Sequence, residues 1–175
     1  WLNHVGSSST TFNGSINFGQ QPFAYTPPTG FKKYNTFNLP DSTIKDGSDY
    51  FNTVLYTGTG FGSIQNVTGV GFQPDLVWTK ARSFSTSHEF YDVIRGVSKP
   101  LLSNTNLAEL SWSPYGLVSF DSDGFGVNDL DVNGYGINEL NRSYVGWSWK
   151  ANGSGVSNTV GNIPSTVSAN TTAGF

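Results

Sequence analysis

Apolar and polar residues alternate in short bursts along this chain, and each burst ends in glycine, proline, asparagine or aspartate. A repeat of two puts successive side chains on opposite faces of an extended strand. From Tyr50, YFNTVLYTGTGFG reads as a strand followed by glycine turns. IQNVTGVGFQP leads through Pro74 into DLVWTKA, and HEFYDVIRG supplies a further strand. LVSFDSDGFGVN gives two short strands around an Asp-Ser-Asp-Gly turn. In SYVGWSWK, Val145, Trp147 and Trp149 share one face and Gly146 and Ser148 the other, so the bulky face is expected to point inward, with Trp78 also in the core. No stretch sustains an apolar stripe at helical spacing; only 98–116, with Leu101, Leu102, Leu107 and Leu110, has room for a helical turn. Short strands with turn signals at intervals of about ten residues predict an all-β fold, a β-sandwich or related barrel.

The flanks differ. Residues 1–14 carry a polar Ser/Thr run, SINFG reads as a short strand, and QQPFAYTPPTGF holds three prolines that forbid helix. Residues 31–38 read as a second short strand before a polar connector at 41–49. The expected organisation is an N-terminal arm over 1–48, a sandwich over 49–155, and a C-terminal linker or extended strand over 156–175. GFGVN (124–128) and GYGIN (134–138) echo each other and read as a hairpin or two ladder-like strands.

Charged residues make up 12% of the 175, against roughly 25% in ordinary soluble domains, while aromatics reach 15%. That balance favours sheet over helix. A formal charge of −3 with scattered Lys and Arg argues against a nucleic-acid partner. Without cysteine there are no disulfides or thiolate metal sites. No apolar run approaches the ~20 residues of a membrane-spanning helix, so no membrane partner is expected. The chain opens on Trp1 and has no methionine, so it reads as a processed or partial product.

Candidate chemistry is sparse. His88, Glu89 and Asp92 bring together the residue types of a base and its orienting carboxylate, but neighbours on a strand point to opposite faces, so no catalytic residue is assigned. His4 sits in the polar N-terminal segment and is expected to be exposed. Asp121, Asp123, Asp129 and Asp131 are the hard oxygen ligands that Ca²⁺ would need. Gly124 falls too early for an EF-hand loop and the distant glutamate is absent; Asx turns explain the same residues, so no metal or cofactor is expected. Trp112 and Tyr115 in SWSPYG, with Tyr135 in NGYG, are candidate glycan contacts, since flat rings on loops can stack on sugars. They serve equally as packing over a sheet edge or against a neighbouring subunit.

VLYTGTG, VTGVGFQPDLVWTKAR, SHEFYDVIRG, VSFDSDGFGV and SYVGWSWKANG, in that order from Tyr50 to Lys150, resemble a β-rich repeat module in structural proteins of tailed phages, especially marine and cyanobacterial ones. Ser148 departs from the pattern, where cysteine is frequent. GSINFGQQPFAYTPPTGFKKYNTFNLP resembles the C-terminal end of a SPRY-like, concanavalin-type jelly roll. STVSANTTAGF resembles the lead-in to another copy of the module. The resemblance implies a jelly-roll-like sandwich and a virion protein of the tail fibre, appendage or capsid surface, not an enzyme. Its partners would be further copies of itself, in an oligomer or filament, and neighbouring virion proteins. In the arm, Phe18, Phe23, Tyr25, Phe31 and Tyr34 are then candidate assembly contacts. The alternative is a carbohydrate-binding adhesin that contacts host surface polysaccharide.

Overall fold

The computed structural model describes residues 17, 21–32, 39, 41–129 and 136–175. By internal packing the chain divides into Trp1–Ser42 and Thr43–Phe175. The second unit holds all the strands among the described residues: β1 (Phe51–Thr57), β2 (Gln65–Thr68), β3 (Leu76–Ala81), β4 (Glu89–Asp92), β5 (Leu101–Leu102), β6 (Gly116–Asp121), β7 (Gly124–Asn128), β8 (Ser143–Trp149), β9 (Val156–Asn158) and β10 (Ser165–Val167). One sheet runs β1-β8-β3-β4-β5, a second runs β2-β7-β6, and β9 and β10 form a hairpin. All these pairings are antiparallel. The only helical turn described is Gly47–Asp49, opened by Asp46, whose side chain accepts from the Ser48 N–H. The leucines of 98–116 form no helix: Leu101 and Leu102 pair with Phe90 and Glu89 as a short edge strand.

The two large sheets close face to face over one core. Val54, Tyr56, Val77, Tyr91 and Tyr144 come from the five-stranded sheet, and Val67, Leu117, Phe125 and Val127 from the three-stranded one. The Phe125 ring stands edge-on to Tyr56 at 6.1 Å, and Tyr56 stacks on Tyr144 at 5.1 Å. Fully burying a ring of this size contributes roughly 1.5–3 kcal/mol. The fold is an all-β sandwich.

The expected orientation of β8 is reversed. Its inward residues are Tyr144, Gly146 and Ser148, while Trp147 and Trp149 lie half-buried on the outer face. Val145 is buried, yet the register sets it opposite Leu55 and Lys80 on that outer face. The cause is a close approach. A Cβ on Gly146 would come within 2.8 Å of Phe125 Cζ, so the ring from the opposing sheet fills the space that a side chain on β8 would occupy. The inner face is small because its partner is large. Trp78, also expected in the core, lies beside Trp147 on the outer face.

The GYGIN echo does not repeat as strand. GFGVN is β7, whereas Ile137 and Asn138 are buried in irregular backbone; Tyr56 donates from its hydroxyl to the Ile137 carbonyl and Asn138 Oδ1 accepts from the Thr59 N–H. SINFG lies outside the described residues apart from Asn17, and so do residues 33–38 of the second expected strand; Phe31 and Lys32 are not in a strand. Asn17 accepts from the Gln21 N–H, and the Phe31 N–H closes a turn onto the Pro28 carbonyl.

Candidate functional site

The alternation that turns Tyr144 inward arrays the tryptophans across the outside of the five-stranded sheet. In register, Thr53, Trp147, Trp78, Phe90 and Leu101 form one row, and Phe51, Trp149, Leu76 and Asp92 the next. Trp78 lies 4.9 Å from both Trp147 and Phe90, stacked on the latter, and Phe51 lies 5.0 Å from Trp149. Such directly opposed aromatic pairs each add about 0.5–1.5 kcal/mol beyond their area. The rows are also a surface: Phe51, Leu55 and Leu101 stay exposed, and the rings between them are half-buried.

At the end of the second row a cleft of about 460 Å³ opens between the sheet and the chain around β10. Trp149, Leu76 and Ile94 supply apolar wall; Asp75, Thr166 and Ser168 supply polar groups. Asp92 and Arg95 also line it but are committed to each other. Asp92 accepts from the N–H groups of Ile94 and Arg95 and holds Arg95 Nε at 2.6 Å. The guanidinium also donates to the carbonyls of Lys99 and Phe90 and reaches Glu109 at 3.3 Å. Asp75 differs. Its backbone pairs with Trp149 and Val93, its side chain makes no hydrogen bond or ion pair among the described residues, and the residue is only 8% exposed.

His88, Glu89 and Asp92 do not converge. Glu89 points into the core and is fully buried, His88 points outward, and Asp92 is locked in its turn. Burial pushes the Glu89 carboxyl up to about 8, against the opposing effect of the Tyr91 hydroxyl, which donates to Glu89 Oε2 at 2.5 Å. Glu89 Oε1 has no partner. Burial, then the Lys80 charge, lowers the His88 pKa.

Asp123 is a clamp. Its carboxylate accepts from Gly71 N–H at 2.6 Å and Gly69 N–H at 3.1 Å, and its carbonyl accepts from Val70 N–H. These bonds hold its pKa low and tie the β6–β7 turn to the β2–β3 loop. Asp121 accepts from the Ser119 hydroxyl, and Asp129 is buried elsewhere. Asp131 lies outside the described residues, among which no group of three or more His, Cys, Asp or Glu side chains gathers as a metal site would require.

Among the candidate glycan contacts, Trp112 and Tyr115 are half-buried in a loop held by Trp112 N–H to Ser98 carbonyl, and Tyr115 packs 6.0 Å from Phe61. Phe61, more than half exposed, had no sequence signal beyond its glycine neighbours. Tyr135 lies outside the described residues. Among the arm candidates, Tyr25 is 89% and Phe31 71% exposed, and Phe23 is half-buried. Phe18 and Tyr34, like His4, lie outside the described residues.

No curated protein is significantly similar to this chain, and no solved structure is. Residues 46–175, which include every strand of the sandwich, match the family described as a domain of unknown function, DUF7483. The chain belongs to that family.

Proposed function

We propose that the chain is a non-enzymatic structural module of a phage virion, in a tail fibre, appendage or capsid-surface fibre, joined to its neighbours by β-strand contacts. The observation that carries this reading is the edge strand β1. FNTVLYT is seven residues long, has no charge and no proline, and among the described residues pairs on one side only, with β8. Edge strands of that kind are templates for a further strand, and soluble proteins usually blunt them with lysine, proline or a bulge. The Thr53 N–H is taken by Asn52 Oδ1 and the Thr57 carbonyl by Gln65 Nε2, so by ladder alternation the backbone of Leu55 faces outward between them. Exposed rings at Tyr25 and Phe31 support an N-terminal arm that docks on another copy or on a neighbouring virion protein.

Deleting residues 1–42 is expected to leave the sandwich folded, with an unchanged sheet spectrum by circular dichroism, and to abolish self-association in sedimentation velocity. A truncated chain that associates like the full one would remove the arm from the interface. Purified particles should carry this chain at a fixed copy number by quantitative mass spectrometry.

A second reading, a carbohydrate-binding module, is favoured by a separate observation, the union of an aromatic wall and a largely buried aspartate in the cleft beside Trp149.

A further inference from the structure

We infer that the cleft between β3, β8 and β10 is a saccharide-binding site, with Trp149 as its stacking wall and the Asp75 carboxylate as the acceptor for ligand hydroxyls. The inference rests on the carbohydrate-binding reading and gives it a location away from the Trp112–Tyr115 loop.

The Asp75 side chain is the central fact. An aspartate in so largely buried a position normally spends its carboxyl group on a hydrogen-bond or charge partner within the protein. Asp75 is 8% exposed, lines this cleft and a smaller adjoining one, and has no side-chain partner among the described residues. The other charged groups of the main cleft, Asp92 and Arg95, neutralise each other. The Asp75 carboxyl group is left facing a space large enough for a small ligand.

Three features select the ligand's chemistry. An indole wall suits a ligand with a flat apolar face. The Thr166 hydroxyl both donates and accepts, and the Ser168 hydroxyl, whose oxygen already accepts from the Asn152 N–H, keeps its proton to donate, so the pair suits a ligand that donates and accepts around its rim. The smaller adjoining cleft adds Gln73, Asn152 and Lys150 beside Asp75, the Lys150 ammonium lying over the Phe72 ring, and extends the polar edge beyond one ring's width. A pyranose has apolar C–H faces and a hydroxyl rim, which is this combination. A quaternary ammonium ligand would instead call for rings enclosing it on several sides; here one wall is open hydroxyl and amide surface.

The test uses the full chain in saturation-transfer NMR and calorimetric titrations with maltose, cellobiose, lactose and N,N′-diacetylchitobiose, beside tetramethylammonium. At least one disaccharide is expected to bind, with transfer strongest at ring C–H protons. Asp75→Asn should weaken that sugar about tenfold, the loss of a charged acceptor. Trp149→Phe, which keeps a ring against Phe51, should weaken it severalfold; an unchanged melting temperature for Asp75→Asn shows that folding is not the cause. Failure of all four sugars, or binding of tetramethylammonium alone, overturns the site. If a bacterial-polysaccharide array shows binding that survives Asp75→Asn and fails with Trp112→Ala, the saccharide site is elsewhere and this assignment is wrong, while the carbohydrate-binding reading stands.

Discussion

Gly124→Ala is expected to unfold the sandwich or lower its stability by roughly 3–5 kcal/mol, a large effect for one methyl group. Gly124 starts β7 with φ at +151°, a backbone conformation that side chains disfavour. The larger penalty is steric: a Cβ there would stand 1.9 Å from the Val67 carbonyl oxygen. That oxygen belongs to β2, whose Thr68 is paired with Gly124 and whose Val67 is in the core. To admit the methyl group, β2 must leave β7, taking Val67 out of the core and pulling the Gly69–Gly71 loop from Asp123. Gly153→Ala is the control. Its φ is +67° but nothing stands within 4 Å of its Cβ, so it should cost only about 1 kcal/mol of backbone strain. Urea titrations followed by circular dichroism would measure both; equal, small losses would show that β2 and β7 are not in contact at Gly124.

Stability is expected to fall as pH rises from about 4.5 to about 8, and Glu89 is the cause. In the folded sandwich its carboxyl holds a proton up to about 8, whereas in the unfolded chain it releases it near 4.5. The folded state therefore binds the extra proton within that window, and the stabilisation is complete below it and gone above it. The slope is about 1.4 kcal/mol per pH unit and the whole change is on the order of 5 kcal/mol. Glu89→Gln keeps an acceptor for the Tyr91 hydroxyl but cannot ionise, so its melting temperature should hardly vary between pH 5 and pH 9 and should exceed the parent's at pH 9. Glu89→Ala should cost about 2–4 kcal/mol at acid pH, since it opens a cavity and strips Tyr91 of its acceptor. A parent chain whose melting temperature climbs through this range, or a Gln variant with the parent's slope, would show that Glu89 does not hold the extra proton of the folded state.

The sequence shows the strands well and their faces poorly. β1, β3, β4, β6, β7 and β8 fall in segments where apolar alternation and glycine or proline punctuation predict them. Which side of β8 is inside depends on Phe125, more than fifteen residues away and on the other sheet. Gly146 and Ser148 look like solvent-facing residues until that ring is set against them. The reverse holds for Glu89, a charged residue that reads as solvated although its alternation with Phe90 and Tyr91 sets it on the Tyr91 side. The aspartates of SFDSDGF were legible as turn formers, but the partners of Asp123 in VTGVGF were not, since only the fold brings the loops together. The cleft had the weakest signal. Asp75, Trp149 and Thr166 are distant in sequence, and their meeting requires the β3–β8 register and the placement of β10.

The charge-free edge gives the account its most direct test. Leu55 is 63% exposed at the centre of β1, so Leu55→Lys should leave the sandwich intact while setting a charge where an added strand would run. Sedimentation velocity of the full chain at tens of micromolar is the measurement. The account predicts an oligomer or filament for the parent and a monomer for Leu55→Lys, with identical circular dichroism for the two. A parent that remains monomeric, or a Leu55→Lys chain that assembles equally well, would contradict it.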